Sequence, residues 1–409
     1  MAEHIEAGKA STSAKRRSIL YVLIALAVIV PIQAIGVREV HKRTPDISSD
    51  DFKDFYIPTA KDILNGNGPR MPDGKILVHA PPGYPYYTAV VLSISHALGE
   101  PMDGVTDSVM WIGNVLWNAL CVAAMMLLAY RLAGARLAVF TGLTVGFYPP
   151  VFYLSQSASP QTPFIALLAW SLYFLYIGHE TRKVRWFALA GGVMGLAGLF
   201  QPVALAMLAM LLAYLLIFFR GSVPGRLAGP AAMLGAFLLV IAPWSIYVYV
   251  EQQQIIVLGD VASSHLVGIS GEPSTSDGRG ISGFNHFREL VRNPLGHSFE
   301  LLRRAGKCWY HTDSGLYERE ALIANLPFGL LLLLGLVPAL KSSWRWGAGL
   351  VLAIFLGAWA TSTLTIYLAR YLMTGIIIAG PIMAIAPLRV YERWLKSRAA
   401  HTDSLHKAV

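Results

Sequence analysis

Long apolar segments separated by short polar turns run along most of the chain. A helix needs about 20 apolar residues to cross the hydrocarbon of a bilayer, and a window of about that length finds ten such segments. They cover residues 18–37, 108–130, 137–154, 163–178, 185–200, 203–219, 229–250, 322–340, 346–363 and 369–388. The pattern predicts an all-α polytopic membrane protein with about ten transmembrane helices.

Composition agrees with this fold class and excludes others. Apolar residues make up 55% of the 409 positions and charged residues 14%, and Cys121 and Cys308 are the only cysteines. Such a chain is too apolar to be disordered and too poor in cysteine to be a disulfide scaffold. The net charge of +9 could favour nucleic acid, but the basic residues lie in small groups between apolar runs and form no single patch. We therefore expect no nucleic-acid partner.

The small basic groups alternate with turns that carry no Lys or Arg. Turns 155–162, 201–202 and 364–368 contain neither residue. The other turns and the C-terminal tail contain Arg131, Arg136, Arg182, Lys183, Arg185, Arg220, Arg226, Lys341, Arg345, Arg389, Arg393, Lys396 and Arg398. Because loops on the cytoplasmic side are enriched in Lys and Arg, this alternation predicts a multi-pass protein with both termini in the cytoplasm.

The spans and charges divide the chain into three parts. Residues 1–17 form a cytoplasmic N-terminal segment, residues 18–388 an integral-membrane domain, and residues 389–409 a cytoplasmic tail. No small-residue cleavage site follows the first apolar run, so we expect it to be a retained helix. The polar end of the tail, residues 397–409, is expected to be disordered.

Two long loops, residues 38–107 and 251–321, are predicted on the outer side. Loops of this length are uncommon in compact domains unless they are functional, so we expect the chemistry to lie there. Residues 84–99 of the first loop are apolar but too short for an ordinary span. We interpret them as an interfacial or re-entrant segment on the outer side.

A cluster of acids precedes a predicted helix in the first loop. Pro58 suits the first turn of a helix, which predicts a short helix from Pro58 to Leu64 that ends at Asn65-Gly66. Just ahead of it lie Asp50, Asp51 and Asp54. A carboxylate at this place can cap the helix, or it can act as a general base that faces a cavity at the membrane surface. Three acids within five positions are more than a single cap needs.

The motifs of the first loop resemble those of a known family. They are Asp51-Phe52, Phe55-Tyr56, Ala60, Leu64-Asn65-Gly66 and Pro81-Pro82-Gly83-Tyr84-Pro85. In this order they resemble the first loop of the GT-C class of polyprenol-dependent glycosyltransferases, in particular the bacterial members related to protein mannosyltransferases and to the lipid A aminoarabinose transferase. Shorter stretches are similar to other motifs of the class: Gly195–Pro202, Ala242-Pro243-Trp244 and Ala369-Arg370-Tyr371-Leu372.

The resemblance implies a GT-C-like fold and an integral-membrane glycosyltransferase. Such an enzyme moves a sugar from a polyprenyl-phosphate donor to a hydroxyl of a lipid, glycan or protein acceptor at the outer face of the cytoplasmic (inner) membrane. We expect inversion at the sugar, because the transfer is a single displacement, and we expect that no cofactor is required. The resemblance also implies that an aspartate deprotonates the acceptor. Asp51 takes this position by its spacing to Phe55 and Tyr56, and Asp54 is the alternate.

Two other classes of protein remain as alternatives. A transporter or flippase of lipid-linked glycans would normally show ionisable residues in the middle of its spans and a repeat of its two halves. A non-catalytic membrane scaffold would not need the acid cluster of the first loop.

Basic residues are expected to hold the phosphate of the donor. Arg370 is the first candidate because it lies at the outer end of the last span, although snorkelling to the headgroups would also place an arginine there. The next candidates, in the second loop, are Arg303, Arg304 and Lys307. Arg303 and Lys307 are four positions apart and could clasp a phosphate from one helix face, or the same helix could simply bind anionic lipid.

Other residues of the two loops are candidates for binding. His79, like Arg70 and Lys75, could contact the phosphate, although solvation in the loop explains all three more simply. Contacts to the sugar or the acceptor are expected from Tyr56, Tyr84 and His265. For His265 the simpler interpretation is an ordinary loop histidine.

Three positions depart from the pattern of the family. Ala80 and Gln201 stand where many relatives have a basic residue, and Gln161 stands where an acidic one is common. These changes concern the contacts to the donor. No His-x-x-x-His or dense carboxylate spacing marks a metal site, so we expect that no metal is required.

Overall fold

The computed structural model describes residues 2–43, 52–71, 73–76, 80–99, 107–156, 158–218, 223–253, 257–258, 291–311, 318–364 and 369–408. Within these ranges the regular elements are helices, apart from an isolated antiparallel bridge between Arg70 and Ile76. The predicted all-α architecture is confirmed.

The first half of the chain contains α1 (Ala2–Arg43), a π-helical turn (Phe52–Tyr56), α2 (Ile57–Leu64), α3 (Gly83–Ala97), α4 (Asp107–Ala133), α5 (Ala135–Gly146), α6 (Pro149–Gln156), α7 (Gln161–Thr181) and α8 (Val184–Phe200). The second half contains α9 (Ala204–Phe218), α10 (Val223–Gln252), α11 (Pro294–Lys307), α12 (Glu318–Leu340), α13 (Arg345–Leu364), α14 (Ala369–Ile378), α15 (Gly380–Met383) and α16 (Ile385–Ala408).

Among the described residues, six helices are long and apolar enough to cross a membrane: α1, α4, α7, α10, α12 and α13. Two bent pairs, α5 with α6 and α14 with the helices that follow it, raise the number to eight if each pair is one span. Helices α8 and α9 are apolar but have only 17 and 15 residues. The membrane architecture is therefore confirmed, whereas the predicted number of ten spans is not.

Prolines account for both bends, which measure 60° and 63°. Pro149 opens α6 directly after the first break, and Pro381 lies in the short α15 after the second. Proline has no backbone N–H to continue the helical hydrogen bonds, and its ring collides with the preceding turn.

Glycines let the helices of the bundle approach one another closely. A Cβ at Gly191 of α8 would lie 1.9 Å from the carbonyl oxygen of Met233 in α10, and one at Gly335 of α12 would lie 1.9 Å from that of Ile382. Small residues at helix contacts are typical of membrane proteins, in which close packing replaces the hydrophobic effect as the source of association.

The basic turns lie at one end of the bundle. Arg131 at the end of α4 pairs with Glu180 at the end of α7 (3.3 Å), and Arg136 at the start of α5 pairs with Glu392 of α16 (3.8 Å). The hydroxyl of Tyr214 in α9 donates to a backbone carbonyl at the start of α13 (2.8 Å). These contacts join turns that the charge pattern predicts on one side of the membrane.

The first loop lies at the opposite end. Phe52 packs against Ala158 in the turn between α6 and α7. Arg70 pairs with Glu251 at the end of α10, where the second loop begins (3.1 Å). Both long loops therefore leave the bundle at the end without the basic turns.

The short helix predicted in the first loop is present as α2, with Pro58 in its first turn and Asn65 as its C-cap. Gly66 follows with a φ of +82°, a conformation that glycine adopts without strain. Local turn chemistry was thus sufficient to predict this element.

Residues 84–99 lie almost entirely in α3, which has 15 residues and is not among the candidate spans. One side of α3 is buried against the bundle. The other side, with the C-cap, exposes a row of apolar residues: Tyr86, Val90, Ile94 and Leu98. Such a row is typical of a helix that lies in the membrane interface.

The prediction of disorder for residues 397–409 is wrong for the described part of the tail, because α16 continues to Ala408. Pro387 is the last glycine or proline in the chain, so the sequence holds no strong helix breaker after it. Helix α1 also begins earlier and ends later than its predicted span.

Candidate active site

The predicted site residues of the first loop are held by an aromatic cluster of Phe52, Tyr56, Tyr84 and Tyr87. The rings of Tyr56 and Tyr84 meet edge to face with centroids 4.8 Å apart. Phe52 and Tyr87 lie at 6.2 and 5.9 Å from Tyr84. These ring contacts hold the π-helical turn against the start of α3.

Asp54 lies on the exposed side of this turn, whereas Phe52 points into the protein. The residue that precedes α2 as its N-cap is Tyr56, whose side chain makes no capping hydrogen bond. Asp54 is not at the N-cap position of α2, and it is exposed to solvent. Asp51, the first candidate for the base, lies outside the described residues, as do His79 and His265.

Tyr84 has no exposed surface, and its hydroxyl lies 3.9 Å from the sulfur of Met110. Burial holds the pKa of Tyr84 well above its ordinary value. A side chain in this position supports the π-helical turn, so the expected contact of Tyr84 with a substrate does not fit the structure. Tyr56 is half-buried at the edge of the cluster, and its predicted contact stays a prediction.

An apolar cavity of about 500 Å³ lies next to this cluster, between the first loop, the end of α8 and the outer part of α10. Its walls are formed by Gly68, Pro69, Pro82, Gly83, Tyr86, Leu196, Leu199, Phe200, Val240, Pro243, Trp244 and Tyr247. Almost all of these side chains are apolar or aromatic, so the cavity suits a hydrocarbon ligand.

The Pro-Pro-Gly motif shapes one wall of the cavity. A Cβ at Gly83 would lie 2.5 Å from the carbonyl oxygen of Leu199 and 2.8 Å from its carbon. Because a backbone carbonyl at the end of α8 cannot move away cheaply, only glycine allows α3 to begin this close to α8. The glycine of the motif therefore allows α3 and α8 to pack closely at the cavity.

A small hairpin in the first loop forms the opposite wall. We call residues 66–71 and 73–76 the first-loop hairpin; an antiparallel bridge within it joins Arg70 to Ile76. Ile76 is only 3% exposed and packs against Trp244 and Val248 of α10. The Ala-Pro-Trp motif of α10 thus meets the first loop directly.

Three aromatic side chains of the cavity, Phe200, Tyr86 and Tyr247, were missed as site residues by the sequence reasoning. A signal exists in α10, where Val240, Trp244 and Tyr247 recur at the spacing of one helix face. It could not be used from sequence alone, because the same spacing describes any buried or lipid-facing side of a helix.

The predicted cations of the second loop lie on α11. Arg303 binds Glu300 through two nitrogens (2.7 and 2.8 Å), and Arg304 donates from Nε to the same carboxylate (3.0 Å). The hydrogen bond from Arg303, assisted by Arg304, lowers the pKa of Glu300 to about 2. Arg304 is only 6% exposed, whereas Arg303 is exposed and Lys307 is half-buried.

The end of α11 and the residues that follow it, up to His311, are joined to three other helices. The helices donate hydrogen bonds to backbone carbonyls of this segment. The indole of Trp359 in α13 donates to the carbonyl of Ala305 (3.0 Å), and the amide of Asn325 in α12 donates to that of Trp309 (2.6 Å). The backbone N–H of Ala369, at the start of α14, donates to the carbonyl of His311 (2.8 Å).

Arg370 follows Ala369 directly and so lies beside the end of α11. It is half-buried, and its guanidinium carbon lies 5.3 Å from the centre of the Tyr371 ring. The backbone next to Arg370 is thus joined to the segment that follows the cations of the second loop.

Several known proteins are similar to this chain in sequence or in fold. Residues 79–247 match the family model of dolichyl-phosphate-mannose-protein mannosyltransferases. The crystal structure of ArnT from Cupriavidus metallidurans bound to undecaprenyl phosphate is similar to 91% of this chain, with 17% identity and a TM-score of 0.60. The archaeal oligosaccharyltransferase AglB from Archaeoglobus fulgidus, in complex with an inhibitory peptide and a dolichol-phosphate, is similar to 95% of it, with 12% identity and a TM-score of 0.64.

The chain has the GT-C fold. The expected GT-C-like fold is thereby confirmed, whereas the first-loop motifs before residue 79 lie outside the part that matches the family model. The chain spans 60% of the length of the ArnT structure and 52% of that of AglB. No curated protein matches it by sequence.

The candidate residues of this GT-C chain fall into two groups with different neighbours. The aromatic cluster and the cavity are built on α3, α4, α8 and α10. The cations of α11 and Arg370 are built on α12, α13 and α14. Among the described residues, no group of three or more His, Cys, Asp or Glu side chains could hold a metal ion. The expectation that no metal is required stays a prediction.

Proposed function

We propose that the protein is an integral-membrane glycosyltransferase that moves a sugar from a polyprenyl-phosphate donor to the hydroxyl of an acceptor. The observation that carries this proposal is the apolar cavity between the first loop, α8 and α10. Its volume of about 500 Å³ lies in the range of ligand sites, and its lining suits an isoprenoid chain. Most of the cavity lies within residues 79–247, which match the mannosyltransferase model.

The relatives support a lipid-linked donor. The ArnT structure contains undecaprenyl phosphate, and the AglB structure contains a dolichol-phosphate. The exposed row of α3 begins at Tyr86, which also lines the cavity, so an isoprenoid chain that leaves the cavity meets an apolar surface. A long chain could therefore continue along α3 into the bilayer.

The transfer is a single displacement at the anomeric carbon. The acceptor oxygen bonds to this carbon while the bond from carbon to the phosphate oxygen breaks, and polyprenyl phosphate leaves with the bonding electrons. Attack from the face opposite the phosphate inverts the configuration. Negative charge develops on the leaving phosphate, so cations already fixed there lower the barrier. We assign this role to Arg370 and Arg304, with Arg303, Lys307 and His79 as further contacts.

A carboxylate accepts the proton of the acceptor hydroxyl as the new bond forms. Such general-base assistance typically contributes about 10²- to 10⁴-fold in rate. Asp51 is the proposed base and the exposed Asp54 is the alternate. Tyr56 and His265 are proposed to contact the sugar or the acceptor.

We place the reaction at the outer face of the cytoplasmic membrane. The basic turns share one end of the bundle, and the positive-inside rule assigns that end to the cytoplasm. The cavity and both long loops lie at the other end. The acceptor would be a lipid, a glycan or a protein on that side.

A direct test incubates the purified full-length protein in detergent with a panel of radiolabelled polyprenyl-phosphate sugars, with and without a membrane extract as the source of acceptor. Release of free polyprenyl phosphate together with transfer of the label is the expected result. If no donor is consumed under either condition, the transferase assignment is wrong. A transporter or flippase of lipid-linked glycans would bind the donor and leave it intact.

A further inference from the structure

The first-loop hairpin is a compact unit held together by hydrogen bonds. The backbone N–H of Met71 donates to the carbonyl of Lys75 (2.7 Å), and that of Gly74 donates to the carbonyl of Met71 (2.8 Å). Two residues of the hairpin, Gly68 and Pro69, line the cavity. The position of the hairpin therefore sets the shape of one cavity wall.

Arg70 connects this hairpin to itself and to α10. Its Nε donates to the carbonyl of Asn67 (3.2 Å) and one terminal nitrogen donates to that of Gly74 (3.1 Å). The other terminal nitrogen donates to the carboxylate of Glu251 (3.1 Å), 181 positions away in the chain. The planar guanidinium can donate in these three directions at once, which the single ammonium group of a lysine cannot do in the same geometry.

Hairpin residues before and after Arg70 in the sequence also lie close to α10. Gly68 has a φ of +78°, and a Cβ there would lie 3.2 Å from the hydroxyl oxygen of Tyr247. On the other side, Ile76 is buried against Trp244. A half-exposed ion pair adds little to global stability. The pair instead holds the hairpin wall of the cavity in a fixed position against the α10 wall.

We propose that Arg70 and Glu251 are positioning residues that keep the first-loop hairpin against α10, so that the cavity is already formed when the polyprenyl chain binds. This inference rests on the proposed function, since it takes the isoprenoid of the donor as the ligand. A preformed site avoids the cost of ordering the wall during binding. Loss of the pair should therefore weaken binding of the lipid and leave the chemical step unchanged.

The experiment measures binding of undecaprenyl phosphate to the full-length protein in detergent by native mass spectrometry. The variants are Arg70→Ala, Glu251→Ala and the double variant. Each single change should raise the Kd about tenfold, the effect of losing one hydrogen bond to a charged group. The double variant should bind no more weakly than Arg70→Ala, because both changes remove the same contact.

Kinetics give a second readout that a general loss of folding would not imitate. With an accepted polyprenyl-phosphate sugar, the KM of the donor should rise about tenfold while kcat stays within about twofold of the wild type. The swapped variant, Arg70→Glu with Glu251→Arg, restores the ion pair but not the two bonds to the hairpin carbonyls. It should recover part of the lost affinity.

A matched control is Asp73→Asn. Asp73 is an acid of the same hairpin, and its ion pair with Lys75 (3.4 Å) stays within the hairpin. This variant should bind the lipid as the wild type does. If Arg70→Ala is poorly folded, Glu251→Gln breaks the charged pair without touching the hairpin and replaces it in the series.

The outcomes separate this inference from the proposed function. If the wild type binds undecaprenyl phosphate and both single variants bind it equally well, the positioning role is overturned and the proposed function is untouched. Additive effects in the double variant, or an equal loss in Asp73→Asn, also overturn it. A wild-type protein that binds no polyprenyl phosphate overturns both.

Discussion

The two loops are held to the membrane helices in different ways. The first loop is fixed mainly by apolar packing, with Phe52, Tyr84 and Ile76 buried and Gly83 in direct contact with α8. The end of α11 in the second loop is fixed by hydrogen bonds from Trp359 and Asn325 to its backbone carbonyls. One loop forms an apolar cavity, and the other presents arginines.

This difference matches the two parts of the proposed donor. An isoprenoid chain needs an apolar wall whose shape is maintained by packing, and the first loop provides one. A phosphate needs cations in fixed positions, and hydrogen bonds hold the backbone that carries them. Changes in the first loop should therefore affect lipid binding and changes in the second loop the rate of transfer, with the catalytic base as the exception.

The largest effect is expected at that base. Asp51→Asn should lower kcat by about 10²- to 10⁴-fold, because the acceptor loses its proton acceptor. Binding of undecaprenyl phosphate should not change. The measurement is label transfer under saturating donor, with Asp54→Asn as the paired variant. If both variants keep full activity, the first loop holds no catalytic base.

Arg370→Gln should lower kcat by about 10²- to 10³-fold and change the KM of the donor less. A variant of the cavity wall should do the opposite, raising that KM and leaving kcat nearly unchanged. A suitable control is Arg185→Gln. Arg185 also lies over an aromatic ring, at 5.4 Å from Trp186, but at the end of the bundle that carries the basic turns. Equal losses in the two variants would argue against a special role for Arg370.

Gly83→Ala should mainly affect the first loop. The added Cβ would meet the backbone of Leu199, so α3 or α8 has to shift, at a cost of about 1–3 kcal/mol. We expect a lower unfolding temperature in detergent and weaker binding of undecaprenyl phosphate. Gly192→Ala in α8 is the matched control, because a Cβ there has no other heavy atom within 4 Å. A wild-type unfolding temperature in Gly83→Ala would contradict the packing argument.

The smallest effect concerns pH and the second loop. The pKa of Glu300 is lowered to about 2 in the folded protein, so its pairing with Arg303 and Arg304 stabilises the fold above the ordinary carboxyl pKa and is lost as the pH falls towards 2. The unfolding temperature of Glu300→Gln should lie slightly below that of the wild type by a constant amount from pH 8 to about pH 5. Below about pH 5, the difference between the two unfolding temperatures should become smaller. A difference that grows on acidification would contradict the assigned pKa.

Much of the fold followed from local sequence signals. The apolar runs, the alternation of basic turns and the short helix that ends at Asn65-Gly66 depend on neighbouring residues, so they could be predicted without tertiary information. The family resemblance was also local, since it rested on short motifs of the first loop. The number of spans was harder to predict: α5 and α6 form a bent pair within one apolar run, and the apolar helices α8 and α9 have only 17 and 15 residues.

The sequence by itself determined which segments are apolar helices and where the charges lie. Only the tertiary structure decided that Tyr84 is a buried support, that Arg70 meets Glu251, and that the cavity is assembled from the first loop, α8 and α10. The physical reason is that these contacts join residues far apart in the chain. Helical spacing shows which residues share a face, but only packing selects the partner of that face.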